Sequence, residues 1–211
     1  MRILFIGNSH TFCNGLPFQV RELLRTSNPV VEVAMCATGG MTLGWHAEQP
    51  ETQMAIKYAP WDYIVLQQKT HPFDGYDILL NDCKSLLPYI RKTQAKILLF
   101  VTWAEKRFPA NQVILDRAFA QVAQEIQAQL VPVSKAWQKI LPEEPAIELY
   151  DTDGEHASPS GSYLAACVFY AAIQGASPVG LPNRIIVNGD VMADIKVDYA
   201  NSMQRAAWRS Q

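Results

Sequence analysis

Two short stretches carry residue types that together could do nucleophilic chemistry. Gly7-Asn8-Ser9-His10-Thr11-Phe12 holds a serine, and Asp151-Thr152-Asp153-Gly154-Glu155-His156-Ala157-Ser158-Pro159 holds a carboxylate three residues before a histidine. A serine hydroxyl is a weak nucleophile until a base takes its proton, and an imidazole base needs a third group to orient it. Asp153 and His156, three apart on one turn, can face one another. Ser9, His156 and Asp153 are therefore the candidate nucleophile, base and orienting acid. Each motif also has a plainer explanation. Ser9 can simply cap the helix that follows it, and Asp153 and Ser158 can cap the next helix, with His156 at the surface. Taken singly, the motifs leave both explanations open.

The elements around the two motifs decide whether they can meet. Arg2-Ile3-Leu4-Phe5-Ile6 is an unbroken apolar run that reads as a doubly covered parallel strand. Ser9 then falls just past the carboxyl end of that strand, where open α/β sheets bind ligands. Further strands are predicted at 30–35, 61–67, 96–101 and 130–133, with Pro132 marking an edge. Helices are predicted at 16–25, 45–58, 78–93, 112–129, 134–141 and 160–175. The tail from 178 reads as a loop with a short strand at 184–188 and a final helix over 193–208. That helix carries Tyr199, Met203 and Trp208 roughly on one side, which is expected to face the core in preference to another subunit. Strands alternating with helices predict an α/β fold: a flavodoxin-like, three-layer α/β/α arrangement around a central, mostly parallel five-stranded sheet in the order 2-1-3-4-5. The whole chain, 1–211, reads as one domain, with 176–211 packing on it.

Composition narrows the partners. The formal charge is −2, and no basic cluster is present, which argues against nucleic acid. No apolar run reaches membrane-spanning length, so no membrane partner is expected. Met1 leads straight into the first strand, so the chain as given is expected to lack a signal peptide and to be cytoplasmic. Four cysteines, Cys13, Cys36, Cys83 and Cys167, form no C-x-x-C pair and are expected to be reduced thiols. No phosphate-binding glycine pattern follows the first strand, which ranks a nucleotide or flavin binder low.

Gly-Asn-Ser-x-Thr after the first strand and Asp-Gly-x-His before the last large helix, in that chain order, resemble the SGNH hydrolases, the superfamily of the GDSL-type esterases and lipases. The resemblance runs from Arg2 to about Gly175 and is closest to a branch with a glutamine-containing third block. It implies that Ser9 is the nucleophile, His156 the base and Asp153 its partner, with no metal or organic cofactor. It also implies an oxyanion hole built from the Ser9 N–H and a glycine after the second strand. Gly39 and Gly40 stand there, and Gly40 is the candidate. The superfamily's third block, Gly-x-Asn-Asp, is replaced by Leu66-Gln67-Gln68-Lys69-Thr70. An amide from Gln67, or else Gln68, is expected to replace the asparagine, since a glutamine can donate the same bond.

The implied substrate is a small carboxylic ester, with an acylated sugar as the leading class. A thioesterase or longer-chain acyl esterase on the same triad is the alternative, and a non-catalytic ligand-binding domain is the rival outside the enzymes. Trp45, His46, His71 and Trp103 are candidates for contacting substrate. Core packing competes for the tryptophans, and a solvated loop for the histidines. Lys69, Lys106 and Arg107 stand on loops at the same sheet end and could favour an anionic substrate, with a solvated charge as the default reading. The oligomeric state is not legible.

Overall fold

The computed structural model describes residues 1–211. Strand β1 (Arg2–Gly7) shows how the sheet is buried. Ile3 and Phe5 enter one core cluster, while Leu4 and Ile6 enter another on the opposite face. Strands β3 (Tyr63–Leu66) and β4 (Lys96–Phe100) divide the same way. Val65, Leu98 and Phe100 lie on the first face, and Ile64, Leu66, Ile97 and Leu99 on the second. Side chains alternate across a strand, so a run apolar at every position must be covered on both sides. With β2 (Glu32–Ala37) and β5 (Gln129–Val131), the sheet has the order β2-β1-β3-β4-β5, and every pairing is parallel. This is the expected topology.

One layer holds α3 (Leu43–Glu48), α4 (Pro50–Tyr58), α5 (Tyr76–Ile90) and α6 (Gln112–Ile126). The other holds α2 (Leu16–Arg25), α7 (Val133–Glu143), α8 (Pro159–Gln174) and α9 (Val197–Trp208). A four-residue helix, α1 (Ser9–Phe12), turns the chain from β1 toward α2. Helix α8 is buried without interruption from Gly161 to Ala171, because α2, α7 and α9 all pack on it.

Several boundaries differ from the sequence reading. Strand β2 lies two residues later than expected, because its pairing follows β1 to the end, from Arg2 opposite Glu32 to Gly7 opposite Ala37. Strand β5 stops at Val131, before the N–H that Pro132 lacks, and Val133 already opens α7. The tail contains a hairpin, β6 (Arg184–Val187) with β7 (Asp190–Asp194), where one short strand and the start of a helix were expected. Asn188 and Gly189 join the two strands with φ of 53° and 94°. Asn-Gly is the dipeptide that tolerates two successive positive φ angles in a tight hairpin. Helix α9 therefore starts at Val197. It buries Met203, while Trp208 is exposed rather than turned to the core. All four thiols are free.

Gly161 sits where α8 passes closest to its neighbours. A Cβ built there would lie 2.3 Å from the Leu149 carbonyl and 2.5 Å from the Trp137 ring. Neither can retreat easily, since Trp137 is stacked on Trp103 at 3.8 Å. Gly161→Ala is expected to cost about 1–3 kcal/mol, read as a lower urea midpoint with an unchanged slope.

Candidate active site

Ser9 opens α1, and its neighbour Asn8 caps that helix by accepting the His10 N–H. The capping role considered for Ser9 is thus filled by Asn8, and the Ser9 hydroxyl is free for another partner. That partner is His156, 147 residues away: Ser9 Oγ lies 2.7 Å from His156 Nε2. On the other side of the ring, His156 Nδ1 lies 2.5 Å from Asp153 Oδ2. A carboxylate only accepts, so Nδ1 carries the proton and Nε2 accepts from the serine. Asp153 Oδ1 also accepts the backbone N–H groups of Glu155 and His156. Burial would raise the Asp153 carboxyl, but these bonds outweigh it and hold the pKa down to about 2.

The loop carrying Asp153 and His156 is tied at several points. Tyr150 and Ala157 form an isolated bridge, and Asp151 N–H donates to the His156 carbonyl. Trp103 Nε1 donates to the Glu155 carbonyl, and Lys106 N–H to that of Gly154. Ser158 caps α8, as one reading of the motif allowed. Asn14, which the sequence reading passed over, bridges the two motifs. Its amide donates to the Ala157 carbonyl and to Ser162 Oγ. Asn14 has φ 52°, a left-handed conformation that asparagine tolerates; the Asn14-Gly15 pair was the available signal.

A recess of about 200 Å³ opens at Ser9, lined by Asn8, Ser9, His10, Gly40, Lys69, Thr70, His71, Glu155 and His156. Gly40 has φ 74° and open space around it, and neither its N–H nor that of Ser9 makes a hydrogen bond. The two glutamines do not line the recess, which corrects that expectation. Gln67 is fully buried, and its Oε1 accepts from Asn8 N–H at 2.8 Å and from Thr11 Oγ1 at 2.9 Å. Its Nε2 donates to the Gln68 carbonyl. Gln68 turns the other way, accepting from Leu43 N–H and donating to Asp82 Oδ2. Both amides are thus spent on partners inside the protein.

The other candidates separate as clearly. His46 is buried and donates from Nε2 to the Gly7 carbonyl at 2.7 Å, so it props the end of β1 and not a substrate. Trp45 packs edge-on against His46 and lies outside the recess. Trp103 is fully buried against Trp137, which rules out a sugar platform. His71 does line the recess, but as a bonded group rather than a solvated one. Its Nε2 meets the Trp103 carbonyl at 2.9 Å and its Nδ1 meets His10 Nε2 at 2.9 Å. The carbonyl only accepts, so His71 donates from Nε2, and His10 donates to His71 Nδ1. A second cavity, of about 460 Å³, adjoins the first through Thr70, His71 and Glu155 and is walled by Phe73, Phe108, Ile114 and Leu115. No group of three or more His, Cys, Asp or Glu side chains is arranged to hold a metal ion.

No family model matches the sequence, and no curated protein matches it. Solved structures do. A candidate SGNH hydrolase from Slackia heliotrinireducens superposes with TM-score 0.72 at 29% identity, over 82% of this chain and 98% of that one. A DUF4886 family protein from Bacteroides uniformis gives TM-score 0.77 at 20% identity, over 99% and 93%. An acetylxylan esterase from Geobacillus stearothermophilus gives 0.63 at 18%, over 86% and 94%. A parallel sheet in this order, with a serine at the end of β1 facing a histidine from the loop before α8, defines a hydrolase architecture. The chain is a member of the SGNH-hydrolase superfamily.

Two outcomes follow from the buried polar groups. Gln67→Met leaves the Asn8 N–H and the Thr11 hydroxyl without an acceptor. It is expected to lower stability by about 1–3 kcal/mol for each orphaned donor, measured by urea unfolding. Burial, first of all, holds His10, His46 and His71 below the ordinary histidine range, His10 at about 3. The unfolded chain protonates these groups near 6.5 and the folded chain resists doing so. Their stabilisation is full above that pH and is lost progressively as pH falls below it, over the range from 6.5 toward 3 for His10. The urea midpoint is expected to drop between about pH 7 and about pH 5.

Proposed function

We propose that the protein is a serine hydrolase that cleaves a small carboxylic ester through Ser9, His156 and Asp153. The observation that carries this reading is the continuous line from Ser9 Oγ through the His156 ring to Asp153, at 2.7 and 2.5 Å. His156 Nε2 takes the hydroxyl proton as Ser9 Oγ bonds to the ester carbon. The carbonyl electron pair moves to oxygen, facing the free N–H groups of Ser9 and Gly40. The tetrahedral species collapses and His156 protonates the departing alcohol. Water, deprotonated by the same nitrogen, then releases the acid from the acyl-enzyme. Asp153 keeps the imidazole in the tautomer that accepts at Nε2 and stabilises the imidazolium.

The recess at Ser9 contains no hydrophobic residue. Its size and polarity suit an acetyl group on a hydroxyl-rich alcohol, so an O-acetylated carbohydrate is the leading substrate class. The likeness to an acetylxylan esterase points the same way. A second reading, a longer-chain acyl ester or thioester, is supported by the adjoining cavity of about 460 Å³ with its Phe73, Phe108, Ile114 and Leu115 walls.

Hydrolysis of p-nitrophenyl acetate, butyrate and octanoate separates these readings. Ser9→Ala and His156→Ala are expected to lose about 10³-fold or more in kcat/KM, and Asp153→Asn about 10³–10⁴-fold. A maximum at acetate favours the first reading, and a maximum at octanoate the second. Equal turnover by wild type, Ser9→Ala and His156→Ala would overturn the triad.

A further inference from the structure

The recess at Ser9 contains one cation with nothing to bind. Lys69 is half-buried, lines the recess with Ser9, Gly40 and His156, and makes no hydrogen bond or ion pair. The other side-chain donors of the recess are committed. The Thr70 hydroxyl pairs with Thr102 Oγ1 at 2.8 Å. His10 donates to His71, and His71 to the Trp103 carbonyl. The Asn8 amide is turned to Met41 and to the His10 N–H. Glu155, the one carboxylate lining the recess, pairs with Arg107 at 3.3 Å. A partly desolvated ammonium without a counter-charge is unfavourable unless an anion is to form beside it.

We propose that Lys69 is a catalytic residue, the charged side-chain donor to the oxyanion that forms when Ser9 attacks its substrate. The inference rests on the hydrolase reading above and extends it. Two backbone N–H groups, from Ser9 and Gly40, are free at the recess, and the glutamines expected to supply the third donor are buried elsewhere. Lys69 stands third after β3, on the loop that carries the two glutamines, and it lines the recess where they do not. In the addition step the carbonyl electron pair becomes the oxyanion lone pair, and Lys69 Nζ–H donates to it without giving up its proton. On collapse the pair returns to the carbonyl and the bond to the alcohol breaks, with the proton supplied by His156. A charged donor strengthens as charge builds on oxygen, so its contribution falls on kcat and hardly on KM.

The test compares wild type, Lys69→Met, Lys69→Asn and Ser9→Ala in two assays: p-nitrophenyl acetate turnover, and the rate at which a fluorophosphonate labels Ser9. Lys69→Met keeps the length and packing of the stem and is expected to unfold at the wild-type midpoint. It is expected to lose about 10²–10³-fold in kcat with KM within about twofold, and to label more slowly by a similar factor. Lys69→Asn, which returns a neutral donor, is expected to recover at least about tenfold of that loss. Labelling of Lys69→Met at the wild-type rate, or a rise in KM with kcat unchanged, overturns the role of Lys69 while leaving the triad standing. No labelling of wild type, together with turnover equal to Ser9→Ala, overturns the hydrolase reading and this inference with it.

Discussion

The site depends first on one buried carboxamide. Gln67, at the carboxyl end of β3, reaches under the turn that leaves β1 and accepts both the Asn8 N–H and the Thr11 hydroxyl. Asn8 in turn caps α1 and leaves Ser9 pointing outward. Gly7 is required by this contact rather than by an unusual backbone angle. A Cβ there would lie 2.4 Å from Thr11 Oγ1 and 2.5 Å from Gln67 Oε1. The Gly7 carbonyl is held from the opposite side by His46. The strand end, the turn and the helix start thus form one hydrogen-bonded unit. Removing its acceptor leaves buried donors exposed to the full desolvation penalty.

Holding Ser9 is half the problem; the histidine must come to it from across the chain. Residue 156 arrives on a loop between the buried Tyr150 and the cap of α8, and that helix is itself the apolar centre of one layer. The Trp103–Trp137 stack supports both ends of this arrangement. Trp137 abuts Gly161 near the start of α8, and Trp103 Nε1 fixes the Glu155 carbonyl. Asn14 then joins the two halves directly. The C-terminal hairpin and α9 contribute at one remove by covering the α2–α8 layer. The catalytic distances are therefore set by core packing, with Asp153, which is 47% exposed on its side chain, contributing orientation more than ion-pair stability.

Much of this was legible in the sequence, and the failures share a cause. Sheet order, strand identity and the pairing of Ser9 with His156 and Asp153 followed from apolar periodicity and from two motifs at opposite ends. Those features are local, or depend only on chain order. Gln67, Gln68 and His46 were misassigned because sequence shows which donors a loop carries but not which way they point. Each found an internal partner, so none was left for a ligand. His71 was expected to be solvated and instead lies in a hydrogen-bonded chain whose other member, His10, had no assigned part. The second strand of the tail hairpin was recoverable from Asn188-Gly189, a signal the helical periodicity of the following residues overrode.

That histidine chain has an electrical consequence for the site. His10 lies edge-on to His156, with ring centroids 5.0 Å apart, and His71 stands behind it at 4.6 Å. Three imidazoles in contact would repel one another strongly if more than one were charged. The Trp103 carbonyl fixes the tautomer of a neutral His71, which fixes that of His10 and leaves His10 Nδ1 as a buried acceptor without a partner. Burial then keeps both rings neutral. His156 is the one imidazole of the three with a carboxylate at hydrogen-bond distance, Asp153 Oδ2. The cost is an unsatisfied lone pair on His10 Nδ1, close to the Ser9–His156 pair.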